Sequence, residues 1–119
     1  MKIRIKGNSL RYRLTRTDIS SLAKEGYLEE QITFPGNPLI YAIQLTEGEV
    51  LTSSFIANKI TLSMSHNMIS ELIDTDKVGF SNNDGDLYLL VEKDFTCLDN
   101  VAEDQSDNYP NPLAKGVRS

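Results

Sequence analysis

The chain contains no tryptophan, one cysteine and one histidine among its 119 residues. The lone thiol, Cys97, cannot close an internal disulfide, and it has no CxxC partner for a metal site of about four ligands. Nucleophilic catalysis of the Ser/His or Cys/His kind has only His66 to draw on, and no base or orienting residue is marked beside it. There is no GxGxxG and no Walker loop, so nothing implies a nucleotide cofactor, or any other. No apolar run approaches the ~18 residues of a membrane span. The opening Met1–Lys6 alternates instead of forming an apolar block, so no secretory leader is expected there. No acidic residue precedes Asp18.

Hydrophobic residues make up 39% and charged residues 24% of the chain, the profile of a soluble globular protein. At this length one domain is expected, with enough core to fold without disulfide or metal. A single thiol fits a reducing cytoplasm. The formal net charge is −5, but it is unevenly spread. Lys2, Arg4, Lys6, Arg11, Arg13 and Arg16 are half of the twelve basic residues, and the rest of the chain carries all seventeen acids. An acidic protein is a poor general binder of nucleic acid, because long-range repulsion opposes the gain from counterion release. A local basic face remains suited to a small anion or an acidic protein segment.

Residues 2–6 alternate Ile3 and Ile5 with three cations, and residues 9–14 alternate Leu10, Tyr12 and Leu14 with Arg11 and Arg13. Alternation of this kind marks strands, and Gly7-Asn8 between them marks a hairpin. Thr15-x-x-Asp18 is a helix start close to a capping box. Ile19, Leu22 and Ala23 follow as the buried helical face, and Gly26 as the stop. Strands are expected over 27–34, interrupted by Glu30, and over 39–45, on either side of the Pro35–Pro38 turn. The stretch 50–64 divides at Asn58-Lys59 into two more strands. Ser65 caps a second helix whose face is Ile69, Leu72 and Ile73. Two last strands, 78–81 and 87–95, meet around Asn83-Asp84-Gly85.

The second half echoes the first at an offset of fifty. Leu10, Tyr12 and Leu14 match Ile60, Leu62 and Met64; Thr15 matches Ser65; Ile19, Leu22 and Ala23 match Ile69, Leu72 and Ile73. Beyond the helices the offset is 48, with Leu39, Tyr41 and Ile43 matching Leu87, Leu89 and Val91. A two-residue difference in hairpin loop length is the expected cause. The expected fold is α+β, with about eight antiparallel strands and two helices. Two duplicated ββαββ units, 1–49 and 50–98, form a barrel or a strongly curved sheet. Residues 99–119, with Asp99, Glu103, Asp104 and Asp107, read as an acidic tail in which Tyr109 docks on the domain. Closure would remove exposed strand edges and gather the cations in the lumen.

The opening Met1–Leu14 resembles the start of a family of small bacterial proteins of unknown function. Phe95-Thr96-Cys97-Leu98, the acidic run and Asn108-Tyr109-Pro110-Asn111-Pro112 resemble that family's ending. The likeness spans the chain and implies no activity. The doubled plan also resembles the triphosphate-tunnel (CYTH-like) barrel, whose members hydrolyse triphosphate with a divalent metal. That family's first strand carries Glu-x-Glu-x-Lys where this chain has Lys2-Ile3-Arg4-Ile5-Lys6. Only Lys6 matches, so no catalytic or metal-binding residue carries over.

The candidate site is therefore the cationic hairpin face: Lys2, Arg4, Lys6, Arg11 and Arg13. Five cations this close repel one another unless solvated, paired or ligand-bound, and arginine forks suit phosphate and carboxylate oxygens. The competing reading is a solvated outer face, or pairing with strand acids such as Glu29, Glu30, Glu92 and Asp94; a third is that the acidic tail folds back over the face. A sheltered, concave placement is what an enclosed anion site requires. The functional expectation is a non-enzymatic binding domain for an anion or acidic partner, with a divergent tunnel-type phosphohydrolase as the alternative. A two-fold dimer through strand edges is a third architecture.

Overall fold

Three two-residue turns and two capped helices set the layout. The computed structural model describes residues 1–95, 107, 109 and 110. Strands β1 (Lys2–Lys6) and β2 (Ser9–Leu14) precede helix α1 (Arg16–Glu25), followed by β3 (Tyr27–Thr33) and β4 (Pro38–Thr46). The second half repeats the order with β5 (Thr52–Ile56), β6 (Lys59–Ser65), α2 (His66–Asp74), β7 (Gly79–Asp84) and β8 (Leu87–Lys93). Gly7-Asn8, Ala57-Asn58 and Gly85-Asp86 are the two-residue turns. Gly7, Ala57, Asn58 and Gly85 all have positive φ, which brings the turn's twist into line with that of the flanking strands. Both helices start where their caps indicate. Thr15 and Asp18 form a reciprocal capping box, and the Ser65 hydroxyl accepts from the Met68 amide. Gly26 closes α1 in the left-handed region.

The eight strands do not form a single sheet, and no barrel closes. They form two mixed four-stranded sheets, ordered β1-β2-β8-β7 and β3-β4-β6-β5. Each sheet takes one hairpin from each half of the chain, and the hairpins join through central parallel pairs, β2 with β8 and β4 with β6. The reason is the path of the helices. Each helix carries the chain away from the sheet it has just left, so its two flanking hairpins fall in different sheets. Edge-to-edge antiparallel pairing of the halves is thereby replaced by parallel pairing at the centres.

The registers of the two sheets correspond. Tyr12 pairs with Val91 in one sheet, and the residues at the matching offsets, Leu62 and Ile43, pair in the other. The change of offset has two sources. Across the hairpin, the paired residues Ile32 and Leu39 lie four residues further apart in sequence than Asp84 and Leu87, and the span from helix start to the next strand is two longer in the second half, from His66 to Gly79 against Arg16 to Tyr27.

Tyr12, Leu14, Leu62, Met64, Ile43, Leu89 and Val91 form a core shared by both sheets and both helices. Leu62 is fully buried. Ile19 and Leu22 of α1, and Met68, Ile69 and Leu72 of α2, cover its end. Ala23 and Ile73, expected on the buried faces, point outward, and Ile73 is 51% exposed. Each short helix packs against the other and the ends of the sheets, which takes a narrower stripe than a three-residue repeat implies. Gly79 lets β7 close on β8, since a Cβ there would lie on the Val91 carbonyl.

Tyr109 docks on the domain. Its amide donates to the Asp94 carbonyl at 2.8 Å, and its ring lies edge-on to Phe95 and against Arg16 and Lys93. Cys97, Asp99, Glu103 and Asp104 lie outside the described residues. No helix among the described residues is long and apolar enough to cross a membrane.

Candidate functional site

Alternation on β1 and β2 turns Ile3, Leu10, Tyr12 and Leu14 toward the core and all five candidate cations to the other face. Register places Lys2 opposite Arg13 and Arg4 opposite Arg11. The β2–β8 pairing brings Leu90 beside Arg11 and Glu92 beside Arg13 on that same face. The cations thus stand on the outer face of an open sheet, not in a lumen. Closure was the premise for a sheltered position, and the sheets do not close.

Acids meet part of this charge. One Glu92 carboxylate oxygen accepts from Arg11 Nε at 2.5 Å and from Arg13 Nε at 3.1 Å. Lys2 Nζ is 3.3 Å from Asp94 Oδ2, whose side chain is 3% exposed. That contact is an ion pair without hydrogen-bond geometry, since the oxygen has no hydrogen-bond partner. Arg4 and Lys6 are exposed, and neither forms an ion pair among the described residues. Glu29 and Glu30 are engaged elsewhere. Glu29 lies 3.7 Å from Lys59, and Glu30 lies 2.8 Å from the Met1 amino group, which also meets Asp18 at 2.8 Å. Among the described residues five cations therefore share this face with two acids, Glu92 and Asp94.

The relief of this face is slight. Arg4, Lys6, Ser9, Arg11, Tyr88 and Leu90 border a depression of about 220 Å³. Lys2, Ile3, Arg4, Arg11 and Arg13 border another of about 170 Å³. Both fall below the roughly 300 Å³ at which enclosed small-molecule sites begin.

A different feature lies at the turn end, opposite the helices. There the inner faces of the sheets part into an apolar cleft of about 590 Å³. Its apolar lining comes from Ile5, Leu10, Leu39, Phe55, Ile60 and Leu87. Ile5 and Phe55 hold matching positions in the two halves and are 59% and 66% exposed. The sequence identifies these residues as strand interior. It carried no signal that the sheets separate beyond Leu10 and Ile60.

The run Asn82-Asn83-Asp84 was legible only as turn chemistry, but it also joins the sheets. Asn82 Nδ2 donates to the Leu51 carbonyl at 2.8 Å, and Asp84 Oδ2 accepts from the Ser53 amide at 2.9 Å. These bonds tie β7 of one sheet to the backbone edge of β5 in the other. At the opposite seam the matching β3 positions are Glu30 and Ile32.

His66 opens α2, is 57% exposed and lies 3.4 Å from Glu47. It borders an open depression of about 710 Å³ that also collects Glu49 and Glu71. No group of histidine, cysteine or carboxylate side chains among the described residues is arranged to hold a metal ion. Asp107 sits at the start of α1. Hydrogen bonds from Thr15 and Thr17 hold its carboxyl below the ordinary value.

Fold and surface together define a small α+β domain with one cationic outer sheet face. A model described as a family of unknown function (DUF7009) matches residues 1–113. The chain belongs to that family, as the resemblance at both ends of the sequence implied. No curated protein and no solved structure matches it.

Proposed function

We propose that this chain is a non-enzymatic interaction domain that engages an acidic protein segment through the outer face of the β1–β2 hairpin. One observation carries the reading. Arg4 and Lys6 are exposed without an ion pair among the described residues, beside Arg11 and Arg13, which share a single carboxylate oxygen of Glu92. Like charges opposite one another in a ladder are destabilising. An arriving carboxylate relieves that repulsion, and the guanidinium groups supply geometrically matched donors.

Shape selects between the two anionic partners that the charge pattern allows. The shallow depressions bury too little of a small anion to replace its hydration. An open face of four strands suits the surface of a macromolecule. Tunnel-type hydrolysis is not part of the reading, because it needs a closed lumen and the sheets remain separate. The same proposal takes the two halves as one duplicated ββαββ unit, supported by the corresponding registers of Tyr12–Val91 and Leu62–Ile43. A cytoplasmic location suits a chain with a single thiol.

Calorimetric titration with acidic peptides, and with tripolyphosphate as a small-anion control, tests the reading. Peptide binding weakened by the paired substitution Arg4→Ala and Lys6→Ala is the expected result. Tripolyphosphate binding with no response to peptide overturns it.

A further inference from the structure

The two halves treat their outer strand edges differently. In a hairpin closed by a two-residue turn, the pair next to the turn exchanges both backbone bonds, and bonded and outward residues then alternate. On β5 this leaves Ser53 and Phe55 facing outward, and the Ser53 amide is indeed taken by Asp84. On β1 the outward residues are Ile3 and Ile5. The strand that staples the β5 edge has Asn82 and Asp84, while its counterpart beside β1 has Glu30 and Ile32. Glu30 is bound to the Met1 amino group, and the Ile32 side chain offers no acceptor. Among the described residues β1 is an edge strand with β2 as its one ladder partner. Its outward backbone groups at Ile3 and Ile5 therefore have no counterpart to the β5 staple among the described residues.

Charge and apolar surface meet at this edge. Arg4 and Lys6 lie on its outer side. Ile5, 59% exposed, lies on its inner side at the mouth of the apolar cleft, and Ile32 across the seam is 45% exposed. We infer that β1 accepts an extended acidic–apolar segment of a partner as an added strand. Its carboxylates lie along Arg4 and Lys6, and its alternate apolar side chains lie over Ile5 toward the cleft. This deepens the acidic-partner reading and rests on it. Strand addition draws affinity from backbone bonds and specificity from alternate side chains. A second copy is disfavoured as the occupant, because β1 against β1 sets Lys2, Arg4 and Lys6 beside their own kind.

The test uses the full chain and a short blocked peptide of alternating glutamate and valine. Two analogues are N-methylated, one on the valines and one on the glutamates. Charge and side chains stay constant while one backbone edge at a time loses its donors. The expected result is a loss of at least about tenfold for one analogue and little change for the other. The Ile5→Pro variant removes an outward amide without breaking a β1–β2 bond, and it should weaken the peptide by a similar factor. Slowed hydrogen exchange at the Ile3 and Ile5 amides of the native protein on peptide addition gives the same readout without a variant. Binding that needs Arg4 and Lys6 but ignores both methylations, with no change in exchange, overturns strand addition and leaves the acidic-partner reading standing. No peptide binding at all overturns both, and a concentration-dependent dimer that protects Ile3 and Ile5 without peptide overturns strand addition by a partner.

Discussion

Arg4 stands directly across the β1–β2 ladder from Arg11. Arg11 bonds to Glu92, and Arg4 has no ion pair among the described residues. The pair holds like charges opposite one another at the centre of the hairpin. Glu92 reaches only its β2 member, because β8 lies on the far side of β2 from β1.

Glu92 should therefore act as the brake on the face's positive potential. Glu92→Gln keeps the shape and frees both guanidinium groups. Because Arg11 and Arg13 are a third or more exposed, the lost pairing is discounted for screening to about 1 kcal/mol. Urea denaturation at low and high salt should show that loss shrinking as salt rises. The same variant should bind acidic peptide more tightly than the native chain.

Tyr12 carries a hydroxyl into the core, where the Ala42 backbone is near enough to act on it but makes no hydrogen bond of good geometry. Burial pushes its phenol well above the ordinary value, with Tyr41 adding to the effect and the Ala42 backbone opposing it. A phenol raised on folding contributes stability that is complete below its unfolded value of 10.0 and is lost as pH climbs beyond it. Tyr12→Phe removes both the unpaired hydroxyl and this sensitivity. At neutral pH it should be at least as stable as the native chain, by up to about 1 kcal/mol. Above pH 10 it should lose less. Residual loss is expected from Tyr41 and Tyr109, whose phenols are also raised by burial. Thermal melts across the alkaline range check this.

The caps make a matched pair of tests. Thr15→Ala deletes one side of the capping box and Ser65→Ala the matching hydroxyl on α2. Each should cost about 1 kcal/mol. Their effects should add, since the two caps share no hydrogen-bond partner. A double-variant denaturation series measures the sum.

Local features were legible wherever they rest on neighbours in sequence. Alternation around Gly7-Asn8 identifies the first hairpin, and Thr15 and Ser65 mark the helix starts. Glu30, an interruption in the strand pattern, belongs to β3 after all, because the Met1 amino group meets its carboxylate. Which strands become neighbours was not legible. The pairing of Leu10 with Leu89 joins the two ends of the described chain, and nothing at either position specifies the other beyond being apolar. The placement of the cations depended on that choice. Their common face follows from alternation alone, but whether it lines a lumen or meets solvent is decided by sheet closure. Asn82 and Asp84 were hidden for a different reason, since their types suit a turn as well as they suit a staple.

Attraction between the outer hairpin face and an acidic polypeptide is the central claim, and a salt titration of poly-glutamate binding measures it most directly. Affinity should fall steeply as ionic strength rises, and the paired Arg4→Ala and Lys6→Ala variant should bind at least about tenfold more weakly at low salt. Poly-glutamate that fails to bind at low salt, or binds the paired variant as tightly as the native chain, contradicts the account.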